Sequence, residues 1–135
     1  MNLRVVFDTN IFISAVGWGG TPKKCVDLVR TGRVDGLICV EILEELGEKL
    51  SVKFGQSDAE IGVILGSLIA VFELVAITGT LTETQADPKD DKILECAVIG
   101  RATHVVTGDK KHLVSLRRFR DVEIVTPAEL IRIAE

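Results

Sequence analysis

Several common signatures are missing from this 135-residue chain, and each absence narrows what it can be. It has three cysteines, Cys25, Cys39 and Cys96, none in a CxxC pair and none at zinc spacing from His104 or His112. That excludes a disulfide framework and a zinc finger, and predicts buried free thiols. Its longest charge-free apolar run, Ile61 to Phe72, has 12 residues, whereas a membrane-spanning helix needs about 20. A buried helix is predicted there, and no membrane partner. The first residues reach Asp8 too soon for a signal-peptide core, which predicts a cytoplasmic protein. With two histidines, neither in a nucleophile motif, no Ser-His-Asp or Cys-His chemistry is indicated, and no GxxxxGK phosphate loop occurs. Basic excess is absent too: sixteen Lys and Arg against twenty Asp and Glu give a net charge of -4, so only a local patch can serve a polyanion.

What is present reads as one folded domain over residues 1–135, with 47% hydrophobic residues and no internal repeat or linker. Leu3 to Phe7 is rich in β-branched residues and ends at Asp8, as a buried strand would. Further short strands are predicted at Gly36–Val40, Leu74–Ile77, His104–Thr107 and Val122–Val125. Helices are predicted between them: Ile11–Val16, a Thr21-capped helix from Pro22 to Thr31 closed by Gly32, Glu41–Lys53, a Ser57/Glu60-capped helix reaching about Val71, a helix capped by Asp90 or Asp91 and ending at Arg101, and a terminal helix from Thr126-Pro127. Apolar strands alternating with helices indicate a three-layer α/β/α sandwich around a central parallel sheet of about five strands. In such sheets ligands lie beyond the carboxyl ends of the strands.

Acids fall at those ends. Asp8 closes the first strand and Asp109 follows the strand His104–Thr107. Either alone is as readily a helix cap or an ordinary turn. On the helical wheel of Glu41–Lys53, Glu45 lies about 115° from the centre of the apolar face, while Glu41, Glu44 and Glu48 lie about 145° to 175° away. Glu45 therefore borders the core and the others face water. On the wheel of the helix near Ile93, Asp90 falls within about 10° of the apolar centre and Asp91 about 90° away. If Asp8, Glu45, Asp90 and Asp109 converge, their mutual repulsion calls for a cation, and hard oxygens without Cys or His favour Mg²⁺ or Mn²⁺. Asn10, Thr107 and Asp91 are polar neighbours able to add contacts or hold water. Such a centre suits phosphodiester chemistry.

Val5-Val6-Phe7-Asp8-Thr9-Asn10, Glu44-Glu45-Leu46, Asp87-Pro88-Lys89-Asp90-Asp91-Lys92-Ile93-Leu94 through Ala97, and Val105-Val106-Thr107-Gly108-Asp109 together resemble the PIN domain family, in its branch associated with toxins of toxin-antitoxin pairs. The resemblance implies a metal-dependent ribonuclease that cleaves single-stranded RNA, with Asp8, Glu45, Asp90 and Asp109 as metal-binding and catalytic acids and Asn10 and Thr107 as supporting residues. It also implies a small antitoxin as partner and a homodimer. Two departures stand out: Lys110, Lys111 and His112 follow Asp109 where a further acid is usual, and Cys39 replaces a small hydroxyl residue.

From Lys89 to Arg120 there are eight Lys and Arg against four acids, half of the chain's cations. This is either a solvated face or a basic rim for RNA, with Lys110, Lys111 and Arg117 as candidate substrate contacts. Trp18 could stack on a base or fill a packing or dimer contact. Two other function classes remain open: a non-catalytic RNA-binding or scaffold module of the same fold, and an Mg²⁺-dependent phosphotransfer domain. The second is disfavoured because Asp8-Thr9-Asn10 has no second Asp two residues after the first.

Overall fold

The computed structural model describes residues 2–79, 81, 88–108 and 117–135. Over these the chain runs β1 (Arg4–Phe7), α1 (Thr9–Gly17), α2 (Gly20–Arg30), β2 (Asp35–Ile38), α3 (Val40–Phe54), α4 (Asp58–Ile69), β3 (Glu73–Leu74), α5 (Pro88–Ile99), β4 (His104–Val106), β5 (Arg118–Phe119), β6 (Val122–Val125) and α6 (Pro127–Ala134). The α/β class read from the sequence is the one observed.

The sheet has six strands in the order β3-β2-β1-β4-β6-β5. All pairings are parallel except β5 with β6. The sequence prediction of about five parallel strands omits β5, a two-residue antiparallel stub that hairpins onto β6. A strand so short leaves no hydropathy period to detect. From β1 the chain winds outward through β2 and β3, then crosses back to β4 on the other side of β1. The winding therefore reverses between β1 and β4, which opens a crevice beyond their carboxyl ends.

Val5, Val6, Phe7, Leu37, Ile38, Val105, Val106 and Ile124 are buried, which is why their strands read as unbroken apolar runs. Edge-to-face contacts among Phe7, Phe12 and Phe72, with centroids 5.6 to 6.0 Å apart, join the sheet to the helices on one side. Gly36 makes this contact possible, because a Cβ there would lie 2.6 Å from the Phe72 ring and 2.7 Å from Val29. The three cysteines are buried free thiols, as predicted.

Element boundaries moved where backbone geometry overrode residue type. Helix α2 begins at Gly20 behind Gly19 at a positive φ rather than at Pro22 behind a Thr21 cap. Helix α5 begins at Pro88, so Asp90 and Asp91 sit inside its first turn instead of capping it; proline's fixed φ suits that first turn. It stops at Ile99, two residues short of the prediction, and Arg101 takes a left-handed φ of 58°. The Ser57/Glu60 capping box is present. The helix it starts is not the buried one predicted: Leu68 is its only buried residue and Val63 is 73% exposed. Among the described residues no helix is long and apolar enough to cross a membrane.

Candidate functional site

Asp8 is the first residue past β1 and the N-cap of α1. Its Oδ1 accepts a 3.2 Å hydrogen bond from Asn10 N. Its backbone N–H continues the parallel ladder to Val106 O at 2.9 Å, and Thr107 N does the same to Val125 O. These bonds carry Asp8 and Thr107 side by side to the crevice between β1 and β4. There Thr107 Oγ1 donates to Asp8 Oδ2 at 2.8 Å. Thr107 is fully buried and Asp8 is only 7% exposed. Burial pushes the Asp8 pKa above its ordinary value, and the nearby Glu45 charge adds to this; Thr107, Asn10 and Lys49 oppose it. An ionised Asp8 is therefore held against a desolvation cost, the condition of a carboxylate placed for chemistry rather than for stability.

Glu45 reaches the same crevice from α3. Ile42, Leu43, Leu46 and Leu50 turn inward, Glu41, Glu44 and Glu48 stay exposed, and Glu45 is half-buried between them, the order that helical phase predicts. Thr9, wholly buried one residue after Asp8, donates through Oγ1 to Glu45 Oε1 at 2.7 Å. Lys92 Nζ on α5 lies 3.0 Å from the same oxygen, and Lys49 Nζ lies 3.7 Å from Oε2. Burial works against the Glu45 charge, but Thr9, Lys92 and Lys49 outweigh it and lower its pKa. Lys49 also donates to Asn10 Oδ1 at 3.0 Å, tying α3 to α1. A cleft of about 350 Å³ lined by Glu41, Glu44, Glu45, Glu48, Lys49 and Lys92 opens beside these groups.

The other expected site residues are distributed as follows. Asp90 is buried in the first turn of α5, the helix that also brings Lys92 to Glu45, and Asp91 is partly exposed beside it. Asp109, Lys110 and Lys111 lie outside the described residues. Arg117 is at the carboxyl edge of the sheet, but its guanidinium is engaged by Glu129 of α6, with Nη2 to Oε2 at 2.9 Å. That contact drives the Glu129 pKa down to about 2. The structure thus links Asp8, Asn10 and Thr107 by hydrogen bonds, joins Glu45 to them through the Lys49 ion pair, and places Asp90 on the helix that brings Lys92 to Glu45.

Three side chains that hold Glu45 were not singled out by the sequence. Thr9, next to Asp8 in the chain, bonds Glu45, yet its type suggests only a cap. Lys49 stands four residues after Glu45, a spacing that puts both on one face of α3. Lys92 carried no local signal, because its partner is 47 positions away. A fourth carboxylate, Glu95, is buried outside the cluster. It accepts from Thr78 N at 2.6 Å, Gly79 N at 3.0 Å, Leu81 N at 3.2 Å and Thr78 Oγ1 at 3.1 Å. Burial opposes its charge, and these four donors prevail, lowering its pKa.

Carboxylate and amide oxygens make up the donor set of Asp8, Glu45 and Asn10, which suits a hard divalent cation and no softer one. Lys49 already places a positive group against two of them. Among the described residues no three Asp, Glu, His or Cys side chains form a ready-made cage. A hydrated ion needing few protein ligands, as Mg²⁺ does, fits this arrangement.

The profile of the PIN domain matches residues 4–111. An uncharacterized protein of Methanocaldococcus jannaschii, MJ1680, is 34% identical over 121 residues, covering 87% of this chain and 77% of its own length. The crystal structure of VapBC2 from Rickettsia felis bound to a DNA fragment from their promoter superposes with a TM-score of 0.65 at 15% identity, covering 92% of this chain and 98% of that one. The last likeness is one of fold. The profile match spans most of the sequence and includes Asp8, Asn10, Glu45, Asp90 and Thr107. The chain belongs to the PIN domain family.

Proposed function

We propose that this chain is a metal-dependent endoribonuclease that cleaves single-stranded RNA and acts as the toxin of a toxin-antitoxin pair in the cytoplasm. PIN domains are generally nucleases. The observation that carries the proposal for this chain is the placement of Asp8, desolvated and buttressed by Thr107, at the crevice between β1 and β4, within the field of Glu45.

Asp8 and Glu45 would hold Mg²⁺ or Mn²⁺, with Asp90 and Asp109 completing the acidic set. A bound divalent ion supplies a water activated for attack on phosphorus and charge stabilisation at the leaving oxygen. The residues of this chain supply the positioning. Thr107 and the Asn10 amide fix the plane of the Asp8 carboxylate, and Thr9 fixes that of Glu45, so neither has to reorganise during reaction. Lys110, Lys111 and Arg117 would contact the RNA backbone, and the excess of cations between Lys89 and Arg120 favours a polyanion's approach. Exposed Val52, Val63 and Ile69 on α3 and α4 offer apolar surface for a second copy in a homodimer, or for the antitoxin.

A non-catalytic RNA-binding module is the second reading, favoured by one observation: two lysines already neutralise Glu45. Purified protein incubated with single-stranded RNA and Mn²⁺ separates the two. Endonucleolytic cleavage that is lost in a folded Asp8→Asn variant is expected. Binding without cleavage in any divalent metal would refute the nuclease assignment.

A further inference from the structure

The cluster contains positive charge for which acid-and-metal chemistry gives no account. Glu45 and its two lysines are not surface groups: their side chains are 14%, 21% and 27% exposed for Glu45, Lys92 and Lys49. The lysines arrive from separate elements, Lys49 one turn along α3 and Lys92 from the start of α5. Glu45 Oε1 already receives Thr9 at 2.7 Å and Lys92 at 3.0 Å, which fills its two lone-pair directions. Oε2 is approached by Lys49 at 3.7 Å, an ion-pair contact too long for a hydrogen bond. Oε2 is thus the oxygen with capacity left, and Asn10 Oδ1, the other acceptor of Lys49, stands next to it.

We propose that Lys92 and Lys49 are tethered counter-ions of the candidate metal centre, so that a divalent cation gains Glu45 only by displacing their ammonium groups. This rests on the proposal that Asp8 and Glu45 hold such a cation. A dication on Oε2 would confront two ammonium groups paired with the same carboxylate, one of them also bonded to the Asn10 amide, and like charges at that range repel strongly in a partly desolvated site. The lysines are the members able to give way, since an ammonium on a flexible four-carbon stem can swing while the Glu45 carboxylate is held by Thr9 and that of Asp8 by Thr107. Both line the cleft of about 350 Å³ beside Glu45. Once displaced they face that cleft, where a phosphate group is the complementary ligand. Metal and phosphate then favour each other's binding, because each relieves a charge that the other exposes.

The test is Mn²⁺ titration by calorimetry without RNA, on wild type, Lys92→Met, Lys92→Arg, Lys49→Met and Asp8→Asn. Lys92→Met should bind Mn²⁺ about tenfold more tightly than wild type, slightly more than an exposed ion pair is worth, and should melt at a lower temperature in EDTA. Lys92→Arg, which keeps the charge, should return both properties toward wild type. General structural damage would weaken metal binding, so the expected direction is itself diagnostic. If Lys92→Met does not fold, Lys49→Met gives the same comparison from the other side. Unchanged or weaker Mn²⁺ affinity in a folded lysine variant, with wild-type binding intact and abolished by Asp8→Asn, overturns the tether and leaves the metal centre standing. No Mn²⁺ binding in wild type or in either Met variant overturns both.

Discussion

Thr107 Oγ1 donates a 2.8 Å hydrogen bond to Asp8 Oδ2, and by that bond the ends of two parallel strands lying 99 residues apart in sequence become one local unit. Thr107→Val keeps the shape and removes the donor. Loss of a hydrogen bond to a buried charged group should cost about 2 kcal/mol. The variant should therefore unfold at lower urea concentration at pH 7, and NMR titration should find its Asp8 pKa higher still.

Asp8→Asn should have the opposite effect on stability. The Asp8 pKa is raised from its ordinary 3.8, so at neutral pH its ionised form works against the folded state. Removing that charge should raise the melting temperature in EDTA by roughly 3 °C while abolishing activity, the trade expected of a functional carboxylate. The sign with pH is fixed. Below its native pKa the wild-type Asp8 is protonated, so the advantage of the variant should shrink as pH falls through that value and disappear near 3.8.

Glu95 should behave in the reverse sense. Its pKa is lowered from 4.5, so it contributes stability that is present above that value and lost as pH falls through the native one. Glu95→Ala leaves the partly buried hydrogen bonds from the N–H groups of Thr78, Gly79 and Leu81 without their acceptor and should cost about 2 kcal/mol at pH 7. Hydrogen exchange should report the loss of protection at those three amides. A difference from wild type that persists undiminished at pH 3 would contradict the proposed cause.

Gly36→Ala tests packing alone. The added methyl would meet Phe72 at 2.6 Å and Val29 at 2.7 Å, so overpacking should cost about 2 kcal/mol in urea denaturation. Metal binding should be unaffected, because Gly36 pairs with Val5 two residues before Phe7, inside the sheet rather than at its carboxyl edge.

The parts of the fold legible in the sequence were those where one physical signal acts over several residues. Apolar runs marked the central strands, and the Ser57/Glu60 pair marked the start of α4. Helical phase ordered four glutamates correctly by exposure, because α3 buries one continuous face. The same logic misjudged α4, where an apolar composition implied burial that its place on the surface does not provide. It could not find Glu95 either, since that carboxylate lies about 130° from the apolar centre of α5 and is covered by a distant loop rather than by its own helix. In the candidate site Asp8 and Glu45 were legible from position and phase. The Thr9–Glu45 bond and the Lys92 pairing were not, because each is a relation between elements that no local pattern encodes.

Both margins of the sheet end in two-residue stubs, β3 on one side and the reversed β5 on the other. An incoming chain would find almost no free main-chain ladder to extend. Among the described residues the helical exterior therefore offers more surface for assembly than either flank of the sheet, and these short flanks give little purchase to the lateral growth that leads exposed sheets into fibres.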